Sequence, residues 1–186
     1  MRSSQGVSRA PARFALVDTS YGGNMAMELA LAAPDLVTAL WLMGCNPTAP
    51  QAGGPDLAGG LEATPEAVFD ILAGLVVHKD AVKQAAVFKT MAHRVGGPAG
   101  AAQARALAVR EEAVSRLGAL TMPALVLWGE QDALVPMAVD QALAAALPHA
   151  QFEVLPGCGH LPTLEKPAES AALFTQLLKS AEASEV

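Results

Sequence analysis

The chain has 186 residues, a length that suits one domain with a small insertion, and 52% of them are hydrophobic, ample for a substantial core. Its formal net charge of −6 and the lack of a basic stripe argue against a phosphate-binding surface and so against nucleic acid. The longest apolar stretches, such as ALVLW at 124–128, are far too short to span a bilayer, so no membrane partner is expected.

The N-terminal MRSSQGVSRAPAR carries positive charge with no continuous apolar segment behind it, so it reads as a frayed tail or a cut end rather than a signal peptide. RFALV (13–17) then reads as a buried strand, short, apolar and followed by turn chemistry. Over 21–33, Ala26, Leu29, Ala30 and Ala33 share one face of a helix that Pro34 ends. LVTALWLMG (36–44) is a second buried strand, closed by Gly44, Asn46 and Pro47. A βαβ unit follows, which implies parallel strands joined by a right-handed crossover.

PTAPQAGGPDLAGG (47–60) is rich in Pro and Gly and reads as loop. Residues 64–118 are helical in pattern without strands. The first helix there opens with Thr64 as N-cap, Pro65 at the first helical position and Glu66 in the first turn. Further helices are predicted over 80–94 and 100–117, separated by GGPAG. The sheet pattern resumes with PALVLWG (123–129), a helix from Pro136 to Leu147, the strand QFEVL (151–155) and a last helix from Pro167 to about Ala183. The fold class is therefore α/β, ordered β-α-β, helical insertion, β-α-β-α. Cys45 and Cys158 have no CxxC spacing and point to a reducing cytoplasm rather than a disulfide framework. His78, His93, His149 and His160 are scattered without HxxxH or HExxH spacing, so neither a metal nor another cofactor is expected.

In LVDTSYGGNMAMELA (16–30), Ser20 stands at a strand–turn–helix corner. An exposed nucleophile at the carboxyl end of a parallel strand needs such a tight turn, so that its Oγ clears the backbone. The helix that follows offers an N–H and a favourable dipole to a developing oxyanion. A plain N-cap serine is the other reading, and for any lone serine the commoner one. LVLWGEQDALVP (125–136) sets Asp132 in the loop just past a strand, and LPGCGHLPTLEKP (155–167) sets His160 in a Gly-flanked loop after the next. Both thereby join Ser20 at the strand carboxyl ends, where open α/β sheets bind ligands.

These three stretches resemble the alpha/beta-hydrolase superfamily, specifically its small esterase-like serine hydrolases, over most of 12–46 and 119–180. The resemblance implies a discontinuous hydrolase core, 1–46 and 119–186, with 47–118 as a helical cap. It implies Ser20 as nucleophile, His160 as general base and acid, and Asp132 as the carboxylate orienting the imidazole. The Tyr21 backbone N–H would be one oxyanion donor. Glu130 is a rival acid nearer the strand, but the GxxD pattern favours Asp132. Asn46 is what the loop after the second strand offers, and it is no carboxylate. Glu165 resembles a recurrent position that anchors the histidine loop.

Two departures stand out. Asp18 occupies the first glycine position of the G-x-S-x-G pattern, which here reads D-T-S-Y-G. Such a carboxylate either favours protonated His160 and weakens it as a base, or points outward and accepts from turn amides. Superfamily members also carry several strands and an HG-type loop before the nucleophile strand, and here only about a dozen residues precede it. A parallel sheet of about four strands follows, with the 13–17 strand on an open edge that invites pairing with a second copy. The expected function is hydrolysis of a small apolar ester, lactone or thioester through an acyl-enzyme. The alternatives are a catalytically impaired protein binding a ligand or partner, and an acyltransferase using the same triad. Among lesser features, Cys158 reads as a small filler, Trp41 and Trp128 as core, and Met25, Met27 and Met43 as packing. His93 and Arg94 read either as facing the cleft or as a solvated helix end.

Overall fold

The computed structural model describes residues 12–50 and 53–184, so the reading of the first eleven residues as a tail lies outside the described part. Four strands form one parallel sheet in the order β1 (Phe14–Thr19), β2 (Val37–Met43), β3 (Ala124–Gly129), β4 (Ala150–Leu155). After a register shift between Phe14 and Ala15 the pairing is regular, with Asp18 opposite Leu42, Met43 opposite Leu127 and Gly129 opposite Leu155. The strand ends thus fall together to within two residues, β3 and β4 running slightly past β1 and β2, which gives the sheet a common carboxyl rim.

Alternation along β2 assigns the two faces. Leu40 and Leu42 face α1 (Tyr21–Ala32) and α6 (Met137–Ala146), in a cluster with Met27, Val126 and Leu143. Ala39, Trp41 and Met43 face α8 (Pro167–Ser184), in a cluster with Leu125, Leu127 and Leu177. Trp41 stacks on Phe174 with ring centroids 5.4 Å apart. Both faces of β2 and β3 are covered, which is why these strands read as unbroken apolar runs. Among the described residues β1 pairs with β2 alone, and Phe14 and Val17 are each 38% exposed.

Between β2 and β3 the chain forms α2 (Leu57–Ala63), α3 (Pro65–Leu75), α4 (Val82–Val95) and α5 (Gly97–Ala108), with a small cluster of their own around Leu61, Phe69 and Ala101. Helix α2 corrects the expectation of loop throughout 47–60: the Asp56 side chain accepts from Gly59 N at 2.9 Å and starts a helix despite two glycines. The Thr64 hydroxyl makes no cap; it donates to Gly60 O at 3.4 Å, because Thr64 also closes α2. The helix expected over 100–117 stops at Ala108, and the chain resumes as a 3-10 turn at Val114–Ala119. Met25 is 54% exposed and does not pack, unlike Met27 and Met43. Trp128 is half-buried, its Nε1 donating to Val135 O at 2.8 Å. No helix among the described residues is long and apolar enough to cross a membrane.

Candidate active site

Ser20 ends β1 and opens α1 with φ 57° and ψ −124°, the one non-glycine residue with positive φ among those described. L side chains avoid this region, and a residue held there costs about 1–3 kcal/mol. Its hydroxyl makes no capping bond to α1, which removes the plain N-cap reading. Its N–H donates to Met43 O at 2.8 Å, fixing the corner to the end of β2. Tyr21 is the first residue of α1, so its N–H lies in the turn that has no carbonyl of its own helix to meet.

Asp132 and His160 come from the loops after β3 and β4. His160 Nδ1 lies 2.7 Å from Asp132 Oδ2, with side chains 2% and 1% exposed. The other Asp132 oxygen accepts from Leu134 N at 2.7 Å and Val135 N at 3.0 Å, so the carboxylate is fully used. An ionised carboxylate is acceptor-only, which assigns the proton to Nδ1 and leaves Nε2 as the basic nitrogen. His160 Nε2 is buried without a partner, so no hydrogen bond yet joins it to Ser20.

β4 is three places from β1, about 14 Å at the usual strand spacing, so the histidine loop must reach back across the rim. Gly44 shows that it does. This residue follows β2, has φ 54°, and a Cβ on it would stand 2.6 Å from His160 Nδ1 and 3.0 Å from Asp132 Oδ2. The imidazole therefore lies over the end of β2, the strand whose Met43 holds Ser20. Ser20, Asp132 and His160 share one rim.

Glu165 fastens the loop. Its carboxylate accepts from Gly159 N at 3.0 Å and Leu161 N at 3.2 Å, on either side of His160, and from His78 N at 2.7 Å in the helical segment. Glu130 is engaged with Gln131 Nε2 and Gly157 N, away from the imidazole. The exposed Asp18 carboxyl accepts from Thr19 N at 2.8 Å and lies over Gly22, where a Cβ would not fit. Asn46 Oδ1 accepts from Thr48. Burial pushes the Cys158 thiol up to about 12, so it is inert. His93 is exposed at the end of α4, paired with Glu66.

Two residues had no place in the sequence reading. Arg110 donates to Leu107 O at 2.9 Å and to Asn46 O at 3.4 Å, joining the helical segment to the loop after β2. A cleft of about 130 Å³ opens there, lined by Tyr21, Asn24, Met25, Pro47, Arg110 and Ala113. Asp140 is fully buried on α6. Its signal was present: at i, i+3 and i+7 it shares the apolar stripe of Leu143 and Leu147. No metal-holding group of acidic, histidine or cysteine side chains occurs among the described residues.

A family model described as alpha/beta hydrolase fold matches residues 61–167. The chain is 28% identical, over 91% of its length, to the biotin biosynthesis bifunctional protein BioHC of Teredinibacter turnerae, covering 34% of that protein. Over 46 residues, 25% of the chain and 16% of the relative, it is 50% identical to a 2-hydroxy-6-oxononadienedioate/2-hydroxy-6-oxononatrienedioate hydrolase of Cupriavidus pinatubonensis. A thermophilic esterase from Thermogutta terrifontis superposes with a TM-score of 0.81 at 23% identity, over 91% of this chain and 66% of that one. The chain thus spans about two thirds of that esterase and about a third or less of these curated relatives.

Proposed function

Because the chain belongs to the alpha/beta hydrolase fold family, we propose that it is a cofactor-independent serine hydrolase of small, mostly apolar carboxylic esters, lactones or thioesters. What supports this reading is the His160–Asp132 pair over the end of β2, with Nε2 unengaged, together with a serine held in a strained backbone corner and bonded to the same strand end. Ser20 Oγ attacks the acyl carbon while His160 Nε2 takes its proton. The Tyr21 N–H meets the oxyanion, and His160 returns the proton to the leaving alcohol or thiol. Water, deprotonated by the same nitrogen, then releases the acid and restores Ser20. Residues 47–118 act as a cap over the rim, and the small cleft beside Tyr21 suits a short acyl chain.

Hydrolysis of p-nitrophenyl acetate and butyrate tests the reading. Ser20→Ala and His160→Ala reduce turnover to background, and Asp132→Asn lowers kcat by about 1,000-fold or more. Full activity in Ser20→Ala would overturn it, and products carrying an added alcohol or amine in place of water would make the enzyme an acyltransferase. The half-exposed apolar edge of β1 favours a second reading, a non-catalytic member of the family that binds a partner there. Absent turnover together with a stable complex would mark that case.

A further inference from the structure

We propose that Asp140 is a positioning residue for the His160–Asp132 pair, acting through the Gly44–Cys45 peptide; this rests on the hydrolase reading of that pair. Asp140 lies in the first turn of α6 and is fully buried, bonded to Cys45, a member of the apolar cluster that also holds Met27, Leu42, Val126 and Leu143. Its Oδ1 accepts from Cys45 N at 3.2 Å, across 95 residues of sequence, and Oδ2 is buried with no partner. A carboxyl used on one oxygen is a costly choice for such a site, where an aliphatic side chain would be cheaper for the fold. What it holds explains its presence.

Gly44 and Cys45 form a shoulder with two working sides. On one, Gly44 bears directly on the imidazole and on Asp132. On the other, the Cys45 side chain packs against Gly23 in the first turn of α1, three residues past Ser20, and its thiol donates to Met43 O at 3.2 Å. The same Met43 carbonyl takes the Ser20 N–H. Nucleophile and base thus both meet the short Met43–Cys45 segment, Ser20 through the Met43 carbonyl and the imidazole at Gly44, and Asp140 ties the Cys45 N–H of that segment to α6. A shift of the shoulder moves the imidazole relative to the serine, and misplacement by about 1 Å can cost about 100-fold in rate.

The test compares Asp140→Leu, Asp140→Asn and, as a core variant of the same helix, Leu143→Ala. Two quantities are read: the downfield proton resonance of His160 Nδ1–H, which needs no turnover, and kcat against KM on a p-nitrophenyl ester. Asp140→Leu broadens or shifts that resonance and lowers kcat by about ten- to a hundredfold with KM little changed. Asp140→Asn keeps the acceptor and restores both, and Leu143→Ala loses stability but keeps both. Asp140→Ala carries the same expectation as Asp140→Leu should the latter not fold. An unaltered resonance in Asp140→Leu, failure of Asp140→Asn to rescue, or equal damage in Leu143→Ala would each overturn the proposal. A wild-type resonance without turnover counts against the hydrolase reading instead.

Discussion

Ser20 sets a local conflict between backbone and chemistry, because a side chain at φ 57° is strained wherever it occurs. Glycine occupies that region freely. Ser20→Gly is therefore expected to raise stability by about 1 kcal/mol in denaturant melts while abolishing esterase turnover. Asp140 sets a second conflict, of charge. Burial, with the nearby Asp132 charge adding to it, pushes its carboxyl up to about 7 from an ordinary 3.8, against the backbone N–H groups of Cys45 and Gly44. A raised carboxyl binds its proton more tightly folded than unfolded. Its contribution is then fully present below pH 4 and is lost as pH rises through about 7. Relative to Asp140→Asn, the wild type should lose about 1.4 kcal/mol per pH unit across that window, read from urea melts at several pH values. Parallel pH curves for the two proteins would contradict this. Ser20 was legible in the sequence because small residues and a strand–turn–helix pattern mark such a corner. Asp140 is harder to read: it shares the apolar stripe of Leu143 and Leu147, yet an acid in the first turn of a helix is equally explained by the helix dipole.

The elements whose apolar pattern is set by burial on both faces, β2 and β3, lie within a residue or so of their expected bounds. The ones that differ were decided by contacts invisible to periodicity. Helix α2 begins at an Asp56 cap inside a Gly/Pro-rich stretch, and its Leu61 is buried against Phe69 and Ala101. The helix beyond Gly97 ends near Arg110, where the guanidinium turns back to the Leu107 and Asn46 carbonyls. Between elements, Glu165 stands out, one carboxylate serving three backbone donors from two segments. Glu165→Ala leaves them unpaired, at a cost of about 2–3 kcal/mol in thermal or urea unfolding, and lowers kcat by loosening the histidine loop. Retained stability and activity would remove its anchoring role. The salt link from Glu28 on α1 to Arg116 in the 3-10 turn is partly exposed, so solvent screens it and it adds little to stability.

The order β-α-β, helices, β-α-β-α already implied a parallel sheet with all strand ends on one rim, so the whole architecture was the most legible feature. How the loop after β4 returns to the end of β2 was not, because Gly44 enters the sequence only as a turn residue. The β1 edge has molecular consequences as well. We propose that two copies associate through it, so that sedimentation velocity shows concentration-dependent association that Val17→Lys weakens by adding charge to the edge. A monomer at every concentration would contradict that. The convergence of Ser20 with the His160–Asp132 pair is tested most directly by covalent labelling with a fluorophosphonate, the adduct located by peptide mass. Wild-type protein should carry the adduct on Ser20, with labelling lost in Ser20→Ala and slowed by orders of magnitude in His160→Ala. A folded wild type left unlabelled at Ser20, or labelled equally fast without the imidazole, would contradict it.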